Sequence, residues 1–290
     1  MVSTIRLSTD ELAFTLLIAG HSTAAQQALL LGLGREISKE EARGRLSAAG
    51  NVLFGQGLVI IGDDGSVKAV PILAEVGRVL TGAAATLRFT LNQPDGPRVL
   101  SYHYIDGAIY EHWLERGVTH VISRVEEAAI SDGCRILFDI ADRQELPNVT
   151  GQWPDTAFRQ MIRQRDPAVV AGMLREYGLE GNWVDWLAED IVRPQAIGDM
   201  LAIYYQGEER APMADEGRLI ALGNGRFWLF HPVHQDGEAW IRLLPSTNDS
   251  LQAQLHQLVQ VCREIAARQT TETREMTVNG DGASLKNGQG

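Results

Sequence analysis

Histidines at short spacing are the first side chains in this sequence that could do chemistry. His231 and His234 form the segment His-Pro-Val-His at the end of a predicted strand, and two converging imidazoles could bind a metal ion. Residues three apart on a strand point to opposite faces of the sheet, and Pro232 disturbs the regular geometry. The spacing therefore favours a structural or surface role for both histidines.

The other candidate metal ligands are also poorly placed. Glu111 and His112 are adjacent on a predicted strand and so face apart, and the sequence assigns no partner to His103 on the neighbouring strand. Cys134 and Cys262 lie in separate apolar segments, which is typical of small buried hydrophobic residues. No pair of ligands has the spacing of a zinc site. The sequence therefore predicts no metal site.

The motifs for cofactor binding and nucleophilic catalysis are incomplete. Gly32-Leu33-Gly34 lacks the preceding strand of a dinucleotide-binding loop, and Gly223-Asn224-Gly225 is typical of a hairpin turn. Neither a Gly-Lys-Ser/Thr segment nor a Gly-x-Ser-x-Gly elbow occurs. Neighbouring carboxylates such as Glu126 and Glu127 are typical of a solvated surface. We predict a non-catalytic protein without a cofactor, while an enzyme built from scattered residues stays open.

The elements that must position these residues come from a long, acidic chain. Its 290 residues are 44% hydrophobic and carry a formal charge of −11, which suits a folded protein with a large core. Residues 1–150 hold 13 basic and 18 acidic side chains, and residues 151–290 hold 13 and 19. Neither half is basic, so we expect no nucleic-acid partner and no attraction to anionic lipid. With no membrane-length apolar segment and no signal peptide, we expect a soluble, cytoplasmic protein.

The periodicity of the first 150 residues predicts helices followed by antiparallel strands. Ser8 or Thr9 begins a first helix, residues 23–33 form a second, and Ser38 with Glu41 makes the capping box of a third. A hairpin and a helix starting at Pro71 follow. Strands are predicted over residues 86–91, 99–104, 109–113 and 118–122, before a helix over residues 123–131.

The second half has the same order of elements. Helices are predicted over residues 155–164, 167–176, 183–191 and 195–206, then strands over 218–222, 226–233 and 239–244, then a long helix from Asn248. We therefore predict an α+β fold with two similar halves, residues 1–150 and 151–269. Each half has a helical block, an antiparallel β-meander and a closing helix, and a pseudo-twofold axis relates them. Residues 270–290 are predicted to be a disordered tail, because they offer little apolar surface.

Residues 38–70 suggest an alternative function. A helix followed by a hairpin could be the recognition helix and wing of a winged-helix transcriptional or signalling regulator. A wing that contacts phosphates needs Lys or Arg at its tip, whereas this tip is Asp63-Asp64-Gly65. The helix has a charge balance of only +1, from Lys39, Arg43 and Arg45 against Glu40 and Glu41. These charges favour a helix and hairpin that do not bind DNA.

Five features mark the order of elements over residues 8–265. They are Leu7-Ser8-Thr9-Asp10-Glu11-Leu12, the Gly57-Leu58-Val59 hairpin with the helix after Pro71, Gly225-Arg226-Phe227-Trp228, Glu238-Ala239-Trp240-Ile241 and Pro245-Ser246-Thr247 before the last helix. In these features the chain resembles the EspG family, the cytosolic chaperones of ESX (type VII) secretion. The resemblance implies a protein that binds helical client proteins and keeps them soluble.

A chaperone must expose apolar surface to its client, and aromatic residues are favoured there. The first meander is rich in aromatic side chains and is preceded by a turn that two prolines stiffen. We predict that this region binds the client, although packing of the aromatic residues in the core is an open alternative. The predicted partner-binding residues are Pro94, Asp95, Pro97, Tyr102, Tyr104, Tyr110 and Trp113.

Overall fold

In the computed structural model, residues 4–206, 211–214 and 217–283 are described. The first half begins with a short strand and a helical block and continues with a four-stranded meander. Its elements are β1 (Thr4–Ser8), α1 (Thr9–Ile18), α2 (Ser22–Leu33), α3 (Lys39–Gly55), β2 (Val59–Ile61), β3 (Val67–Ala69), α4 (Pro71–Gly82), β4 (Ala85–Gln93), β5 (Gly96–Ile105), β6 (Ala108–Glu115), β7 (Thr119–Val125) and α5 (Ala129–Phe138).

The second half also begins with a short strand and a helical block. Its elements are β8 (Gly151–Pro154), α6 (Asp155–Met161), α7 (Pro167–Glu176), α8 (Trp183–Val192), β9 (Ala196–Gln206), β10 (Ala211–Ala214), β11 (Arg218–Leu222), β12 (Phe227–Gln235), β13 (Glu238–Leu244) and α9 (Asn248–Ala283).

One large antiparallel sheet joins the two halves. Its strand order is β1-β7-β6-β5-β4-β9-β11-β12-β13-β8, with β10 attached to β9, and the hairpin β2-β3 is separate. The central pair is β4 with β9, where Arg88 lies opposite Leu201. Each half contributes its first strand to one edge, beside the last strand of its own meander. The predicted α+β class is thus confirmed, whereas the pseudo-twofold axis and the boundary near residue 150 stay predictions.

Helices cover the two faces of the sheet differently. On the first face, α5 and α9 pack on the central strands around Leu87, Phe89 and Met200. On the second face, α1–α4 pack at one end around Leu7 and Ile122, and α6–α8 pack at the other end around Trp153, Trp228 and Phe230. Alternation along β12 shows the two sides, since Phe227 and Leu229 belong to the first face and Trp228 and Phe230 to the second.

Local signals predicted most of the helix starts and turns. Ser8 caps α1, and Ser8 with Glu11 forms a complete capping box. Ser38 caps α3 by accepting from the Glu41 backbone N–H, which is half of the predicted capping box. The Glu41 side chain accepts from Arg35 and Arg45 instead of completing it. The Asp-Gly pairs at Asp106-Gly107 and Asp236-Gly237 both have two residues with positive φ, which is the backbone of a type I′ hairpin.

Two predicted helices are wrong. Residues 195–206, predicted as a helix, are the strand β9, and residues 123–131 include the end of β7 before α5 starts at Ala129. In β9 both faces carry apolar side chains, so the sequence shows no polar face that would reveal a two-residue period. Pairing with β4 and β11 decides the conformation there, and it overrides the helix propensity of Ala, Met and Leu.

The C-terminal segment also differs from its prediction. Helix α9 extends past residue 270 to Ala283, where the sequence predicts a disordered tail. Extending a helix costs no new nucleus once its first part is packed, which favours continuation. Residues 284–290 lie outside the described residues. Among the described helices, none combines the length and apolar character that a bilayer crossing requires.

Candidate protein-binding groove

A groove of about 920 Å³ lies at the end of the sheet where β4 turns into β5 and β6 turns into β7. Apolar and charged side chains share its lining. The apolar residues are Pro97, Trp113, Leu114 and Ile136, and the charged residues are Asp95, Arg98, Glu115 and Arg116. The groove can therefore offer apolar contact area and ionic contacts of either sign to a partner.

Two tight turns shape the rim of this groove. In the first, Gly96 has φ +118°, a conformation that L side chains rarely adopt. In the second, Arg116 and Gly117 both have positive φ, so the backbone is left-handed at both residues. Glu115 next to it accepts from Arg6 of β1 at 3.1 Å. The rim is thus built from hairpin geometry and tied to the edge of the sheet.

Ile136 is the main exposed apolar residue of the groove. It lies on α5 and is 63% exposed, although its neighbours Cys134, Leu137 and Phe138 are buried in the core. Trp113 is half-buried and packs against the same core from β6. An exposed isoleucine beside a half-buried tryptophan gives a partner an apolar contact that this chain does not cover.

Four of the seven predicted partner-binding residues lie at this end of the sheet. Pro94, Asp95 and Pro97 are exposed in the β4–β5 turn, and Trp113 lines the groove with Asp95 and Pro97. The structure therefore brings these residues together. Their role in binding a client stays a prediction.

The three tyrosines of the predicted set are buried instead. Tyr102 and Tyr104 lie in the first-face core, and burial raises the pKa of both phenols. The Tyr102 hydroxyl donates to Glu111 at 2.9 Å and to the Ala129 carbonyl at 3.3 Å. Gly133 on α5 makes room for this ring, because a Cβ there would be 2.0 Å from the Tyr102 hydroxyl oxygen.

Tyr110 is buried on the opposite face. It packs with Val79 of α4 and Ile105 of β5, and its hydroxyl donates to Glu75. A side chain in these positions cannot contact a partner while the fold is intact. The tyrosines therefore pack in the core, which was the alternative prediction. They lie further along the strands than the prolines, which lie at the turn.

The centre of the second face is a strip that the two helical blocks leave open. Arg88 and Asn92 of β4 are exposed there, and Ile197 of β9, which lies opposite Asn92, is 45% exposed. Asp199 faces the same side, and burial raises the pKa of its carboxyl while Arg88 and Thr90 lower it. The sequence did not reveal this strip, because β9 was predicted to be a helix.

The helix and hairpin of the winged-helix alternative form as predicted, and two of the helix charges, Glu41 and Arg45, are engaged in ion pairs. Arg45 donates to Glu41 and Asp10, each at 3.2 Å, and Arg35 donates to Glu41 at 2.6 Å. Asp63 and Asp64 are exposed at the hairpin tip. The tip therefore presents negative charge where a phosphate-contacting wing presents positive charge.

The remaining residues that the sequence offered for chemistry are two histidines on β12 and one glycine-rich turn. His231 and His234 lie on β12, half-buried and exposed respectively. In the described part of the chain, no group of three or more His, Cys, Asp or Glu side chains is placed to hold a metal ion. Gly223-Asn224-Gly225 forms the β11–β12 turn, as predicted from its sequence.

Comparison with known proteins shows a similarity to a solved structure. No protein-family model and no curated protein matches the chain. A solved structure does match, that of the Mycobacterium tuberculosis type VII secretion system chaperone EspG5 in complex with a PE25-PPE41 dimer. Its identity to this chain is 14%, its TM-score is 0.65, and the alignment covers 89% of this chain and 96% of EspG5. The two proteins share a fold.

The resemblance to the EspG family is therefore confirmed for the fold. A putative adenylate cyclase from Bacillus halodurans aligns with 78% of this chain and 86% of its own, at 7% identity. Its TM-score of 0.14 is too low to indicate a common architecture.

Proposed function

We propose that this protein is a non-catalytic, cytoplasmic secretion chaperone of the EspG kind, which binds a helical client protein and keeps it soluble. The observation that carries the proposal is the fold match to EspG5, a chaperone whose solved complex contains a protein dimer. The match spans nearly all of both chains, so it includes both helical blocks and the sheet between them.

We infer that the groove is part of the client-binding surface. Exposed apolar residues with polar groups around them are typical of protein interaction sites. Ile136 and Trp113 supply the apolar area, and Asp95, Arg98 and Arg116 supply the polar rim. The two stiff turns support this role, since a rigid rim loses little conformational entropy when it binds.

The function is tested by affinity capture of the tagged full-length chain from its native cell, with bound proteins identified by mass spectrometry. We expect a stoichiometric partner with amphipathic helices that is insoluble when expressed alone and soluble when expressed with this protein. Capture of a partner whose solubility does not depend on this protein would contradict the proposal.

The binding surface is tested with three matched isoleucine substitutions and the captured client. Ile136→Arg places a charge in the groove, and we expect it to weaken client binding at least about tenfold, because an apolar contact at an interface centre contributes at least ~1.4 kcal/mol. Ile162→Arg is the control, since Ile162 is 49% exposed at the end of α6 in the other half. Affinity is measured by isothermal titration calorimetry.

Ile197→Arg provides the third arm of this experiment, because it charges the open strip on the second face. If Ile197→Arg abolishes binding and Ile136→Arg does not, the client contacts the strip and the groove assignment is wrong. The thermal midpoints of all three variants should stay close to wild type, because each residue is substantially exposed.

A further inference from the structure

Three imidazole rings form a continuous hydrogen-bonded ladder across β5, β6 and β7. His103 Nε2 lies 3.5 Å from His112 Nδ1, and His112 Nε2 lies 2.9 Å from His120 Nδ1. The ring centroids are 5.7 and 5.1 Å apart, with the planes tilted by 30° and 33°. The sequence assigned His103 no partner, because diagonal neighbours on different strands are visible only once the register is known.

A threonine hydroxyl closes each end of the ladder. Thr86 Oγ1 lies 3.0 Å from His103 Nδ1, and Thr9 Oγ1 lies 3.3 Å from His120 Nε2. Thr9 is the first residue of α1, and it also forms hydrogen bonds to Val118, which lies in the turn before β7. Its backbone N–H donates to the Val118 carbonyl at 3.0 Å and its hydroxyl donates to the same oxygen at 3.3 Å. The ladder therefore links the sheet to the start of the N-terminal helical block.

The bond from Thr9 to Val118 fixes the direction of the whole chain of hydrogen bonds. Because the Thr9 hydroxyl hydrogen goes to Val118, its oxygen must accept from His120 Nε2–H. A neutral imidazole has one N–H, so His120 Nδ1 must accept from His112 and His112 Nδ1 from His103. All three rings are then Nε2–H tautomers, and the Thr86 hydroxyl donates to His103.

The surroundings of the ladder disfavour positive charge. Burial lowers the pKa of His103 and of His120 to about 4. Burial also lowers the pKa of His112 well below its usual value, and the two neighbouring imidazoles and Arg88 lower it further. The charged side chains on the surrounding elements are Arg6 on β1, Asp10 and Glu11 on α1, Glu75 and Arg78 on α4, Arg88 on β4, Arg98 on β5, Glu111 and Glu115 on β6, and Arg124 on β7.

We propose that the His103–His112–His120 ladder is an acid-sensitive latch that holds the start of α1 against the sheet at neutral pH and releases it in acid. A protonated imidazole carries two N–H groups and no acceptor. The Thr86 hydroxyl can turn to accept from His103, so the ladder can hold one extra proton by switching tautomers. A second proton leaves two N–H groups pointing at each other and breaks the chain of hydrogen bonds. The contact between Thr9 and Val118, at the end of the ladder, is then weakened.

The pH window follows from the direction of the pKa shifts. Above a pH of about 6.5, the ordinary value for histidine, the rings are neutral in the folded and unfolded chains. Between about 6.5 and about 4 the unfolded chain binds protons that the folded chain excludes, so stability falls as pH falls. The stabilisation that the latch contributes is therefore fully present above about pH 6.5 and decreases progressively as the pH falls towards about 4.

The first test is nitrogen-detected NMR of the imidazoles in the wild-type chain between pH 7.5 and 4.5. We expect three Nε2–H tautomers at pH 7.5 that titrate well below about 6.5, the ordinary value for histidine. Titration of the three rings near pH 6.5, or an Nδ1–H tautomer at His112 or His120 at pH 7.5, would overturn the proposal.

The second test is hydrogen exchange at the Thr9 amide, corrected for the intrinsic rate. We expect its protection to fall by about tenfold or more between pH 7 and pH 5, because each unit of pKa shift corresponds to a tenfold change in an equilibrium. His112→Gln, which cannot titrate, should reduce this fall, whereas His256→Gln should leave it unchanged. An equal fall in wild type and His112→Gln contradicts the latch, and if His112→Gln does not fold, the imidazole NMR decides.

Discussion

The Asp190 carboxylate shows how a single buried charge organises the second half. It is 2% exposed and accepts from Arg226 Nε at 3.1 Å and from the Trp228 indole N–H at 2.8 Å. Gly223 lies directly against it, since a Cβ there would be 1.9 Å from the carboxyl carbon. The carboxylate therefore joins α8 to the β11–β12 turn, and the turn depends on a residue without a side chain.

We expect Asp190→Ala to destabilise the protein by about 3–5 kcal/mol, because it removes the carboxylate that pairs with the Arg226 guanidinium, whose side chain is only 13% exposed. The matched control is Asp185→Ala, which removes a carboxylate paired with Arg175 at 2.7 Å on the surface. That change should cost less than about 1 kcal/mol. Urea unfolding measures both, and similar losses for the two variants would show that burial does not set the contribution of Asp190.

Local chemistry predicted the residues that act on their immediate neighbours, such as the Ser8 cap and the Gly223-Asn224-Gly225 turn. It did not predict the partners of Asp190 or of His112. Those partners lie on other strands or helices, and only the register of the sheet brings them within hydrogen-bond distance of each other. The same limit explains the predicted binding residues, since turn position placed Asp95 and Pro97 correctly while Tyr102 followed its strand into the core.

The strand β9, which the sequence predicts to be a helix, joins the two halves. It pairs with β4 on one side and β11 on the other, so it has no free edge within the described sheet. Its residue Gly198 lies under Phe138 of α5, and a Cβ there would be 2.4 Å from that ring and 2.6 Å from the Thr90 carbonyl. Close packing of a helix over the central strands therefore requires glycine at this position.

We expect Gly198→Ala to destabilise the protein by about 1–3 kcal/mol, because the backbone oxygen of Thr90 cannot move away without disturbing the central pair of strands. Gly44→Ala is the control, since nothing lies within 4 Å of a Cβ at that position in α3. Alanine in a helix interior should stabilise by about 0.5–1 kcal/mol. Thermal unfolding of both variants checks the prediction, which fails if they shift the midpoint in the same direction.

At the scale of the whole molecule, acidic charge is spread over both halves rather than concentrated in one. We expect no retention of duplex DNA at about 0.15 M salt, since a chain of charge −11 with an acidic hairpin tip repels phosphates. Gel-shift titration with random and genomic duplexes measures this. Tight, sequence-selective binding would support the winged-helix regulator instead.

A paired substitution shows whether charge alone separates the helix–hairpin unit from a DNA-binding module. The variant with Asp63→Lys and Asp64→Lys makes the hairpin tip basic without changing α3. If the geometry is that of a functional wing, weak binding that disappears with added salt should emerge. If this variant does not bind DNA, the shape of the helix–hairpin unit differs from that of a DNA-binding winged helix.

The pairing at the two edges of the sheet sets the order in which the protein can fold as it leaves the ribosome. Thr4 pairs with Ser123, so the first strand has no partner until the chain is more than 120 residues long. At ~5–20 residues per second that wait is about 6–24 seconds. Gly151 likewise pairs with Leu243, near the end of its own half. In each half, the last strand to be synthesised pairs with the first strand of that half. Until the last strand is made, the first strand stays unpaired.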